Sequence, residues 1–229
     1  MEGLSTRYSL LIENENHSLH LVRKSGNLEA KSFPIRVIIM SDKASLIDAL
    51  ITGRRSIKKF QSKSVAIQEM IDILEVAKWA PNHKLTEPWR FLLFSGEGKE
   101  QFINAYLQSQ GAKEGEIPPK AEKKAAYFRQ IPLHLVVVMP EDPRQKTWDE
   151  DYGAASAMIQ NIQLAAWARG IGMIWRTNDW IYSPVFREAI GVKAGEKIIA
   201  TLMIGYAEFV PEAKERTSIK DKLTVIENK

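Results

Sequence analysis

The pattern from Trp148 to Arg169 constrains this chain most, because apolar residues recur along it at helical spacing with no proline to interrupt them. At about 1.5 Å per residue such a helix spans roughly 33 Å, the width of a small domain. Its small residues Gly153, Ala154, Ala155, Ser156 and Ala157 let another helix approach closely. Met158, Ile159, Ile162 and Leu164 add bulky apolar surface, more than one neighbouring sheet needs. A two-fold interface repeating the same patch is therefore expected to bury the surplus. Gly170 stops the helix.

Shorter patterns surround it. Leu46, Ile47, Leu50 and Ile51 mark a helix, and Ile67, Met70, Ile71, Leu74 and Ala77 place one apolar stripe on a second over 67–80. Trp89, Phe91 and Leu93 alternate with Arg90, Leu92 and Phe94 as in a strand. Residues 99–109 and 119–130 read as exposed helices, with Lys120, Lys123, Lys124 and Arg129 forming a solvated face. Leu133 to Met139 reads as a buried strand, with His134 as a satisfied core histidine. Ser183-Pro184 opens a short helix, Lys197 to Tyr206 is the last strand, and a charged tail follows.

Composition narrows the chemistry. The 229 residues can build one domain with a sizeable core. No cysteine is present, which excludes disulfides, a thiolate nucleophile and thiolate metal sites, and agrees with a cytoplasmic protein. The longest apolar runs, such as Ile198 to Ile204, fall far short of a membrane span, and no signal peptide is evident. A net charge of +4 suits an anionic small ligand as well as it suits nucleic acid.

Two stretches carry the candidate chemistry. Gly53-Arg54-Arg55-Ser56-Ile57-Lys58-Lys59-Phe60 packs four cations and a hydroxyl behind the first helix. The guanidinium forks and the serine suit phosphate or carboxylate, yet basic residues at a helix end also complement its dipole. Farther on, Pro81 and Pro88 bound a polar loop holding Asn82, His83 and Lys84.

Together these stretches resemble the FMN-dependent nitroreductase family. The carriers are Arg54-Arg55-Ser56 with Lys58, then Ala80-Pro81-Asn82-His83-Lys84 with Pro88-Trp89. A third match runs from Gly153-Ala154-Ala155 through Asn161, Ala165-Ala166 and Gly170-Ile171-Gly172 to Ile174-Trp175-Arg176-Thr177. The form is similar to the minimal bacterial NAD(P)H nitroreductase branch and covers about Met40 to Glu208. The resemblance implies an α+β sandwich, a mainly antiparallel central sheet flanked by helices, in a homodimer with FMN at the subunit interface. Residues 1–39 match nothing in the family and are expected to be a dispensable extension, disordered or translated from a misassigned start, ahead of a domain at 40–229.

The resemblance assigns Arg54, Arg55 and Ser56 to FMN. Lys58 matches a cation near the flavin pyrimidine edge, where its charge would favour the anionic reduced flavin; a solvated lysine is the alternative. Positions matching Trp79 and His83 meet the flavin bound mainly by the other subunit, although Trp79 replaces the basic residue expected there. His83 hydrogen-bonds ring or ribityl oxygens, or else braces its loop. Trp175, Arg176 and Thr177 lie along the cofactor and close on its phosphate, and Arg216 adds a further phosphate-binding arginine. The implied chemistry is ping-pong: NADH or NADPH reduces the flavin and leaves, and a nitroaromatic, quinone or similar acceptor takes its place. The flavin carries the reaction, so no catalytic side chain and no metal is expected. Nor is a nucleic-acid or membrane partner. Two other readings stay open: flavin cleavage or reductive dehalogenation on the same scaffold, and a non-enzymatic basic binding module.

Overall fold

A computed structural model describes residues 43–227. The expected extension at 1–39 lies outside them. The sheet has four strands, β1 (Arg90–Ser95), β2 (Leu133–Pro140), β3 (Ile171–Arg176) and β4 (Glu196–Tyr206), in the order β1-β2-β4-β3 with every pairing antiparallel. The central strands read as near-continuous apolar runs because helices cover both of their faces. Leu133, Leu135, Val137 and Met139 of β2 enter one core; Val136 and Val138 enter the other. A bulge opposite Val137 and Val138 breaks the alternation in β4, turning both Ile199 and Ala200 into the first core.

The first core lies under α2 (Ile67–Ala77) and the long α5 (Gln145–Ala168). Met70, Ile73 and Ala77 of α2 meet Ala155, Met158, Ile159, Ile162 and Ala166 of α5 there. Most of the apolar surface of α5 is thus spent on the sheet and α2, and Gly153 stays exposed. The second core is closed by α3 (Lys99–Ser109), α4 (Pro119–Gln130) and α6 (Pro184–Ala189). Here the expectation of exposed helices fails: Phe102, Ile103, Tyr106 and Leu107 of α3 and Ala121, Ala125 and Phe128 of α4 are buried. Phe102 packs edge-on against Phe128, Trp180 and Phe186 and lies flat on His134, 4.5 Å between ring centres. His134 is only half satisfied. Its Nε2 donates to the Phe128 carbonyl at 3.0 Å, while Nδ1 is buried without a partner.

α1 (Lys43–Gly53) stands apart. None of its residues is buried, and Leu46, Ile47 and Ile51 are each half exposed. Among the described residues no helix is long and apolar enough to cross a membrane, and no cluster of His, Asp and Glu could hold a metal ion.

Candidate functional site

The basic stretch after α1 is sewn to the edge of the sheet. Arg54 N closes the helix on the Leu50 carbonyl at 3.1 Å, and the chain then extends beside β3. Ile57 N donates to Met173 O at 3.1 Å, Gln61 N to Tyr206 O at 2.9 Å, and Glu208 N to Lys59 O at 3.1 Å. Two glycines make this docking possible. A Cβ on Gly172 would sit 2.5 Å from Cγ1 of the fully buried Ile57. One on Gly205 would meet Pro132 at 2.9 Å and Phe60 at 3.0 Å. Either would wedge the stretch away from the strands.

The result is a cleft of about 860 Å³, within the usual range for a small-molecule site. Arg54, Arg55, Ser56, Lys58 and Arg216, all singled out from sequence, line it with Lys59 and Lys214, against a single carboxylate, Glu212. The two adjacent arginines differ. Arg55 folds back, its Nη1 donating to the carbonyls of Thr52 at 2.7 Å and Arg54 at 2.8 Å, so at least part of its role is to cap the helix end. Arg54 has a buried Nη1 with no partner. Burial, then the charges of Arg55 and Arg216, lower its pKa from the ordinary value. The guanidinium cannot shed its proton, so an anion is what this crowding calls for.

Trp175, Arg176 and Thr177 do not line that cleft. They lie at and just beyond the end of β3, where Thr201 Oγ1 donates to Arg176 O at 3.2 Å. Trp175 Nε1, Arg176 Nε and Asn178 Oδ1 are all buried and unpartnered. Among the described residues five buried side-chain atoms lack partners; four belong to Arg54 and to this short segment, and His134 holds the fifth. Native proteins seldom leave such atoms alone, so these are open to polar partners from outside the chain. The donor set, several cations and few carboxylates, fits a phosphate-bearing group.

Trp79 and His83 occupy a third place, the loop between α2 and β1, and both are exposed. The loop is held in an uncommon shape: Lys84, Leu85 and Glu87 have positive φ at 51°, 54° and 44°. Such residues cost of order 1–3 kcal/mol each unless their surroundings hold them. Here Asn82 accepts from Glu87 N at 3.1 Å and donates to Ala80 O at 3.1 Å, and Thr86 donates to the buried carboxylate of Asp151 at 3.3 Å. The loop therefore presents Trp79 and Leu85, each more than four-fifths exposed, on a fixed frame.

Tyr127 goes unremarked in the sequence, and Lys124 is assigned there to a solvated face. They flank the buried stripe of α4, and the Tyr127 hydroxyl donates to the Lys58 carbonyl at 2.9 Å. The signal available was their spacing, one helical turn apart beside Phe128, obscured by the lysines around them.

Comparison with known proteins bears on the family and the fold. The Bacillus subtilis (strain 168) protein YfhC, which carries a provisional NAD(P)H nitroreductase name, is 39% identical over 186 residues, covering 79% of this chain and 94% of its own. A crystal structure of a nitroreductase-like family protein from Bacillus cereus aligns with a TM-score of 0.75 at 42% identity, covering 80% of this chain and 96% of the other. The FMN-dependent nitroreductase NfnB of Mycobacterium smegmatis, solved in complex with NADPH, shares the fold at 19% identity with a TM-score of 0.64, covering 81% and 100%. The Nitroreductase family model matches residues 51–206, from the end of α1 to the end of β4, and the chain belongs to that family.

Proposed function

We propose that this chain is an FMN-dependent NAD(P)H oxidoreductase of the nitroreductase type that reduces nitroaromatics, quinones or similar acceptors by a ping-pong cycle. The observation that carries this is the concentration of unpartnered buried polar atoms on Arg54, Trp175, Arg176 and Asn178 beside a cationic cleft. Arg54, Ser56 and Arg216 would hold the phosphate, with Arg55 lending charge from its capping position. Lys58, Trp175, Arg176 and Thr177 would border the ring and ribityl chain. When bound, FMN supplies the two-electron transfer. The protein's own residues bind it, orient it and keep one face open.

The working unit in this reading is a homodimer in the cytoplasm. The half-exposed apolar face of α1 and the exposed Phe209, Ile219, Leu223, Val225 and Ile226 of the tail support a second copy as their cover. The exposed loop with Trp79 and His83 would then reach the partner's flavin. Spectra of the purified full chain, with and without added FMN or riboflavin, test the cofactor. A characteristic flavin spectrum with preference for FMN is expected; equal affinity for riboflavin removes the phosphate socket. NADH or NADPH oxidation with a nitro acceptor then separates this chemistry from flavin cleavage, which would consume free flavin instead.

A further inference from the structure

The loop between α2 and β1 is an arm that has reason to fold away and does not. Lys84, Leu85 and Glu87 keep left-handed backbone, which residues with a side chain seldom adopt, and Trp79 and Leu85 stand out in water. Most of what steadies the arm lies inside it. Asn82 bonds to Glu87 N and Ala80 O, Thr86 N donates to His83 O at 3.2 Å, and Trp89 N donates to Glu87 O at 2.7 Å. Among the described residues a single hydrogen bond ties 82–87 to another element, from Thr86 Oγ1 to Asp151 Oδ1 of α5 at 3.3 Å. At the base of the arm, Asn161 Nδ2 of α5 donates to Ala77 O at 3.2 Å and fixes the end of α2. Asp151 is itself unusual. It is 7% exposed, one helical turn before the buried Ala154 and Ala155, and no ion pair among the described residues involves it. A carboxylate taken out of water without a cation is costly, so packing alone does not account for it.

We propose that Asp151 is a positioning residue: through the Thr86 hydroxyl it latches the arm in its projecting form, so that Trp79 and His83 are set in place before a flavin binds. Thr86 stands between Leu85 and Glu87, and one bond there pins left-handed residues on both sides of it. An arm held ready loses less conformational freedom on binding than one that must first be ordered, and the difference appears as affinity. The latch rests on the flavin reading for what the arm reaches. It deepens that reading by giving cofactor binding a residue of α5 that does not line the cationic cleft.

The test uses the full chain as wild type, Thr86→Val, Thr86→Ser and Asp151→Ala, with the exposed Asp149→Ala as control. Trypsin cleavage after Lys84, mapped by mass spectrometry on the flavin-free protein, reads how often the arm opens. Thr86→Val and Asp151→Ala should each speed that cut about tenfold, the scale of one hydrogen bond to a charged group, and Thr86→Ser should restore the wild-type rate. Fluorescence titration should show FMN affinity falling several-fold in the same two variants and recovering in Thr86→Ser. The melting temperature of flavin-free Thr86→Val should match that of the wild type, which separates the latch from a general loss of stability. Cleavage at the wild-type rate in both Thr86→Val and Asp151→Ala overturns the latch, and so does equal acceleration in Asp149→Ala. An opened arm with unchanged FMN affinity overturns its role at the cofactor. A wild type that binds no flavin, alongside faster cutting in Thr86→Val, would sink the flavin reading and uphold the latch.

Discussion

Among the described residues, two buried places hold polar atoms without partners, and they resolve the problem differently. In the aromatic core His134 leaves Nδ1 bare, and burial pushes its pKa down to about 4, the Lys99 charge helping and the bond to Phe128 opposing. The ring stays neutral near pH 7, and a neutral nitrogen without a partner costs far less than an unpaired buried charge. At the sheet edge Arg54 and Arg176 cannot neutralise themselves. A cation that keeps its charge and lacks a carboxylate must be completed from outside. The orphan in the core is therefore structural, and the orphans at the edge are the ones a polar ligand can complete.

The largest effect should come from the core. A histidine whose pKa is about 6.5 unfolded and about 4 folded takes up its proton first in the unfolded state. Stability is then lost as pH falls from 6.5 towards 4 and flattens below, in all about 3 kcal/mol at roughly 1.4 kcal/mol per unit. His134→Gln should remove that slope in denaturant titrations across this range. A difference between wild type and variant that does not change with pH would break the contrast.

At the edge, Arg54→Ala should weaken FMN by roughly 1.5–3 kcal/mol, the loss of a hydrogen bond to a charged group. The apoprotein should be no less stable, because the change relieves repulsion from Arg55 and Arg216. Fluorescence titration with FMN and a thermal melt without it read the two halves separately. An apoprotein destabilised as much as the FMN affinity falls would make Arg54 structural after all.

A paired arginine sharpens the point. Arg90 holds Glu196 through two bonds, Nε at 2.8 Å and Nη2, and Lys193 N reaches the same carboxylate at 2.7 Å. The bond from Arg90, assisted by the Lys193 amide and the two positive charges, keeps the Glu196 pKa below the ordinary value against the opposing effect of burial. Arg90→Ala should cost roughly 1–2 kcal/mol of stability and leave FMN affinity alone. The contribution is present above the ordinary carboxylate pKa and fades as pH falls through the depressed one, so melts of wild type and variant should converge in acid.

The smallest effect is expected at α1. Ile47→Glu, on a half-exposed residue, should cost the dimer about 1 kcal/mol per subunit. Sedimentation with flavin detection should show dimer content and FMN occupancy falling together. A monomer with full FMN would detach the site from assembly.

Element order was legible because period and punctuation agreed: the expected spans at 99–109 and 119–130 coincide with α3 and α4. Their burial was only half legible. In α4 five of the twelve residues are charged and the inward stripe is built partly from Ala121 and Ala125, which carry little periodic signal, whereas α3 has only two charges and its Phe102, Ile103, Tyr106 and Leu107 spacing was there to be read. The helix expected over 67–80 stops at Ala77, with Lys78 to Ala80 turning ahead of Pro81. At the site, residue types were readable and directions were not. Arg54 and Arg55 are neighbours of one type, and only the geometry of the helix end sends one to the carbonyls and the other to the cleft. Lys124 looked like any solvated lysine until the fold laid its ammonium against the Tyr127 and Phe128 rings.

The contact between Ile57 and Gly172 has an evolutionary consequence. Since a methyl at 172 would overlap the Ile57 side chain, the two positions share one small volume and cannot drift independently. A lineage that gains a side chain at 172 must first trim residue 57, or lose the edge that holds Arg54. The order of substitutions is thereby fixed: shrinking comes before growth, and a search of this chain's mutational neighbourhood will find a one-way passage there.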